Sequence, residues 1–196
     1  EDILDVGVQA ILLVEDSVRF YSTYLPELYK LVLKQSSEFL KETLNEQQRK
    51  FRKRSRPKIL LATNFDDAVE MYARYKHNIL GVISDVGFNV HKGDSPEMEK
   101  LDAGIDLVKL IREDNPMMPI LLQSSQDSIS AVAEELGVGF LRKYSKTLML
   151  QLADYIKEEF CFGDFVFRDA DHNEYGRAAN LKELEIMIRE VPDEVL

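Results

Sequence analysis

Three carboxylates, a hydroxyl and an ammonium stand where apolar runs of this chain end. Ala10-Ile11-Leu12-Leu13-Val14 leads straight into Glu15-Asp16, and Ile79-Leu80-Gly81-Val82-Ile83-Ser84 ends at Asp85. Pro119-Ile120-Leu121-Leu122-Gln123 ends at Ser124, and Gly139-Phe140-Leu141-Arg142 ends at Lys143. Adjacent acids repel, so ionising both costs free energy unless a counter-charge is present. A divalent cation with oxygen ligands supplies one, and Mg²⁺ keeps positions free for water and a phosphoryl group. A lysine beside them pairs with phosphate as a point charge. The chemistry these residue types could do together is cation binding and the handling of a phosphoryl group.

For that to happen the apolar runs must be neighbouring parallel strands, because open α/β sheets place their ligand sites at the strands' carboxyl ends. Unbroken apolar runs suit strands covered on both faces. The intervening segments suit helices. Asp16-Ser17 can cap a helix whose apolar face runs through Val18, Tyr21, Leu25, Leu28 and Val32. Pro26 lies inside that pattern and is expected to kink or divide the helix. Phe39, Leu40 and Leu44 carry the pattern on, so an elongated first helix is expected over 18–50, longer than one layer requires.

After Pro57 comes a second strand, Lys58-Ile59-Leu60-Leu61-Ala62, with Asn64 capping a helix that turns Ala68, Val69, Met71 and Tyr72 inward. A long connection follows Asp85, with an insertion over 88–102, and loops of that length are functional or mobile. Further helices are expected over 104–112, over 127–136 closed by Gly137, and over 146–160. Five strands alternating with five helices predict a doubly wound parallel sheet of class α/β. Residues 1–160 form this domain. In 161–196 the pattern changes to a hairpin plus a helix, an appendage or the start of a following domain.

Bulk composition narrows the function classes. The 196 residues are 45% hydrophobic and 31% charged, enough for a sizeable core. Cys161 is the single cysteine, which excludes a disulfide within the chain and suits a cytoplasmic setting. No apolar run approaches the roughly 18 residues that cross a bilayer. Glu1-Asp2 is acidic where a signal peptide is basic. The net charge of −10 opposes nucleic-acid binding. Seven basic residues are nonetheless packed into 49–58, which suits a solvated helix end or docking to an acidic partner. His77, His91 and His172 lack zinc-ligand spacing, and no glycine-rich phosphate loop occurs.

Over Val8 to Phe160 the chain resembles a two-component response-regulator receiver (CheY-like) domain. Glu15 and Asp16 fall on that family's acidic pair, Asp85 on its phospho-acceptor, and Lys143 on its invariant lysine. Ser124 falls on the switch Ser/Thr and Phe140 on the switch aromatic. The resemblance implies a flavodoxin-like sheet of order 2-1-3-4-5 and a bacterial, cytoplasmic regulatory domain rather than an enzyme. It implies Mg²⁺ on Glu15, Asp16, Asp85 and the Gly87 carbonyl. It also implies phosphorylation of Asp85 by a sensor histidine kinase or phosphotransfer protein, an output region beyond Leu196, and a possible homodimer.

The chain departs from the family at several points. Glu15 stands where Asp is commoner, Tyr144 where a cis-bonded proline is usual, and the stretch after Asp85 lacks the usual proline. A pseudo-receiver serving as an interaction module is the main alternative. An aspartyl-phosphate phosphatase would need a second acid where Gly87 stands. The tail from Phe162 resembles the segment after receivers in large bacterial proteins that carry a PEP-synthase-like region, so a regulatory domain of such a phosphotransferase is a further alternative.

Overall fold

The computed structural model describes residues 3–4, 8–41, 57–160, 165–168, 174–178 and 181–190. Five strands, β1 (Ala10–Val14), β2 (Lys58–Ala62), β3 (Ile79–Asp85), β4 (Ile120–Ser124) and β5 (Gly139–Arg142), form one sheet in the order β2-β1-β3-β4-β5. Every pairing is parallel. All residues of β1 and β4 are buried, as their unbroken apolar runs require, whereas the edge strands β2 and β5 are only partly covered.

Helices α1 (Val18–Lys41), α2 (Phe65–Tyr75), α3 (Ala103–Asp114), α4 (Ile129–Glu135) and α5 (Leu148–Glu158) alternate with the strands. Helices α2, α3 and α4 cover one face through Ala68, Tyr72, Leu107, Ile111 and Ala133. The other face is covered by α1 and α5, through Phe20, Tyr24, Leu28, Leu152 and Ile156. Pairing aligns Val14 with Ala62 and Ser84, Asp85 with Gln123, and Ser124 with Arg142. That register brings the carboxyl ends of β1, β3, β4 and β5 to one edge.

Helix α1 differs from expectation in two ways. Pro26 does not divide it: Ser22 and Pro26 are both exposed, so the carbonyl left without an N–H partner faces water. Its buried stripe is Phe20, Tyr24, Leu28 and Val32, with Val18 exposed and Tyr21 and Leu25 only half-buried. Ser17 fixes this phase by capping: its Oγ accepts the Phe20 N–H at 3.4 Å and its carbonyl accepts the Tyr21 N–H at 2.9 Å. The expected extension over 42–50 and most of the basic run lie outside the described residues.

The 88–102 insertion is anchored at several points. Phe88 and Lys100 exchange two backbone hydrogen bonds, and the Phe88 ring is fully buried. The Phe65 N–H donates to Asn89 O and the Asp66 N–H to Val90 O. A short 3₁₀ turn, Pro96–Met98, lies between these ties. Beyond the sheet domain, β6 (Phe165–Arg168) and β7 (Glu174–Ala178) pair antiparallel and precede α6 (Leu181–Glu190), the expected hairpin and helix. Arg177 Nη2 donates to the Glu158 carbonyl at the end of α5. Among the described residues no helix is long and apolar enough to cross a membrane.

Candidate functional site at the carboxyl edge of the sheet

Glu15 leaves β1 with its backbone N–H bonded to Ala62 O and its side chain almost wholly buried. Its Oε1 accepts the Ser17 N–H at 3.2 Å, and its Oε2 lies 2.6 Å from Lys143 Nζ. Asp16 is half-buried, and its Oδ2 accepts the Asn89 N–H at 3.1 Å. Asp85 ends β3; its Oδ1 accepts the Val86 N–H at 2.7 Å, and its Oδ2 bonds Lys143 Nζ. One carboxylate oxygen from each of Glu15, Asp16 and Asp85 falls within 4.8 Å of the others.

Ser124 and Lys143 are joined through the backbone, the Lys143 N–H donating to Ser124 O at 2.8 Å. Both line the same cleft as Asp16, Asp85 and Gly87. Phe140 does not line it; half-buried on β5, it packs with the core under α2, α3 and α4. The ring nearest the lysine belongs to α1 instead. Lys143 Nζ stands 4.5 Å from the centre of Phe20, which stacks on Tyr24 at 5.1 Å and meets Tyr144 edge-on at 5.7 Å. Tyr24 Oη in turn accepts a buried hydrogen bond from Gln123 Nε2 at 2.7 Å. Where the family pattern has proline, Tyr144 takes a left-handed backbone, φ +62°.

Sequence reasoning did not anticipate Glu99. The insertion carries it into the cleft, where its carboxylate stands over Gly87. No local signal marks it, because its place depends on the pairing of Phe88 with Lys100 twelve residues apart.

The electrostatics follow from packing acids together out of water. Burial pushes Glu15 up to about 7, Asp85 adds to the push, and Lys143 opposes it. Asp85 is likewise raised, by burial first and by Asp16, against Lys143 and the Val86 N–H. Burial draws Lys143 down, but Asp85 and Glu15 outweigh it and the ammonium is held above its ordinary value. Three acids against one ammonium leave a negative balance, and every offered ligand atom is a carboxylate oxygen. That donor set suits a hard divalent cation of the Mg²⁺ class.

Solved structures with the same architecture include a response regulator receiver domain protein from Clostridium thermocellum. It is 19% identical, with 79% of this chain and 96% of that one covered and a TM-score of 0.51. A response regulator receiver protein from Sinorhizobium medicae is 16% identical, with 80% and 98% covered and a TM-score of 0.51. The fold is that of receiver domains. No family model matches the chain, and a search of curated proteins finds no match. In a receiver fold the strand order reverses between β1 and β3, and ligands bind at such a switch point. Glu15, Asp16 and Asp85 sit on those two strand ends.

Proposed function

We propose that this chain is a phosphoryl-accepting receiver domain of a phosphorelay, with Asp85 as the acceptor. The observation that carries this reading is one ammonium, Lys143, bonded to both Asp85 and Glu15 at the β1/β3 switch point, with Asp16 completing a trio of acids. The Val86 N–H holds Asp85 Oδ1 in place, leaving Oδ2 to attack phosphorus once Lys143 turns from it to the incoming phosphoryl oxygens. A bond forms between Asp85 Oδ2 and phosphorus. The phosphorus–nitrogen bond of a phosphohistidine breaks, and its electron pair returns to the imidazole nitrogen.

Mg²⁺, held by Glu15, Asp16, Asp85 and the Gly87 carbonyl, supplies the remaining charge neutralisation when bound. Ser124, across the cleft, donates its hydroxyl to the new phosphoryl group and draws β4 toward it, and Phe140 on the neighbouring β5 follows inward. The donor is a sensor histidine kinase or phosphotransfer protein in the cytoplasm, and the domain regulates rather than turning over a substrate. Its output lies beyond Leu196, where the tail's resemblance points to a PEP-synthase-like region.

Incubation with acetyl phosphate or BeF₃⁻ and Mg²⁺ tests the reading. Intact mass should rise by one phosphoryl group, or Ser124 and Lys143 amide resonances should shift, in the wild type and not in Asp85→Asn. No response in the wild type overturns it and leaves the fold as an interaction module.

A further inference from the structure

The 88–102 loop brings a fourth carboxylate, Glu99, to the cleft. The Phe88 N–H donates to Lys100 O at 3.2 Å and the Lys100 N–H donates to Phe88 O at 3.1 Å, so the backbone beside Glu99 is fixed. The Lys100 side chain is tied down as well, bonded to Asp106 and 3.9 Å from Asp102. It is therefore engaged away from Glu99. Gly87 supplies the space that the carboxylate uses: a Cβ at position 87 would lie 2.4 Å from Glu99 Oε1 and 3.5 Å from its Cδ. The Glu99 carboxylate thus fills the volume that a side chain on Gly87 would occupy, beside the carbonyl that the cation reading requires.

Lys143 is shared between Glu15 and Asp85 and offsets this added charge only in part. A loop that places a further acid in the cleft of Asp16 and Asp85 adds repulsion unless something positive arrives. We propose that Glu99 is a positioning residue of the cation site, raising its affinity for a hard divalent cation from the exposed side above Gly87. This rests on the cation reading of the proposed function. Partner groups around a metal's direct ligands commonly change affinity by tenfold or more.

The test is titration of the full chain with Mn²⁺, followed by electron paramagnetic resonance, and with Mg²⁺ by calorimetry. Glu99→Gln, on an exposed loop, should weaken binding about tenfold with an unchanged circular dichroism spectrum. Gly87→Ala keeps the carbonyl but displaces the Glu99 carboxylate, and should weaken binding similarly. The double variant should bind no more weakly than Glu99→Gln alone. Equal affinity in wild type and Glu99→Gln overturns the inference, as do additive losses in the double variant. Absence of binding by the wild type instead overturns the cation reading beneath it.

Discussion

Lys143 Nζ lies 2.6 Å from Glu15 Oε2, and the same ammonium bonds Asp85 from its other side. Both partners of the first pair are more than nine-tenths buried. A buried ion pair gains little over an apolar replacement of both partners, but removing one partner strands a charge. This single lysine therefore opposes the burial that drives two acids on different strands toward their neutral forms.

Lys143→Met should cost about 3 kcal/mol of stability in urea unfolding above neutral pH. The loss should shrink under acid conditions, where Glu15 and Asp85 can take up protons. An equal loss at both pH values would rule out the stranded-charge account.

Stability of the cation-free protein should fall as pH rises through the window from 4.5 to about 7. Glu15 titrates at the lower value when unfolded and at the upper one when folded, so within the window the folded chain holds the extra proton. Unfolding is then favoured by raising pH, with a total effect on the order of 3 kcal/mol. Urea unfolding in a chelator checks the slope, and Glu15→Gln should reduce it, leaving the part that the raised Asp85 contributes.

Gly104→Ala should destabilise the fold by about 2 kcal/mol. A Cβ there would sit 2.1 Å from the Asp85 carbonyl oxygen and 2.9 Å from Val86 Cα, both backbone atoms that cannot swing aside. Helix α3 must then retreat from the end of β3. Thermal unfolding measures the cost; an unchanged midpoint would show that the helix has room to spare.

Tyr24→Phe should cost about 1–3 kcal/mol, because it leaves the buried Gln123 amide without its 2.7 Å acceptor. Adding Gln123→Leu should recover most of the loss. If the double variant is as unstable as the sum of the singles, the hydrogen bond is not the reason for the pairing.

The sheet was legible because the central strands are near-continuous apolar runs, short and alternating with helical segments, as covered parallel strands are. The convergence of Glu15, Asp16, Asp85, Ser124 and Lys143 followed, since each ends such a run. The phase of α1 was not legible. Tyr21 and Leu25 are as apolar as Phe20 and Tyr24, and the choice between stripes depends on the Ser17 cap and on Lys143 and Gln123, about a hundred residues away. Pro26 misled because its cost depends on whether the freed carbonyl meets water. Glu99 was hidden for a related reason: its position is fixed by a backbone bridge, which leaves no mark in side-chain pattern.

The Lys143 ammonium rests on the ring of Phe20, the third residue of a helix 24 residues long. From Phe20 to Lys41 that helix extends about 30 Å at 1.5 Å per residue. Tyr24, Leu28 and Val32 continue the same buried stripe, so the ring that meets the ammonium belongs to a rod seated along the sheet for roughly three turns.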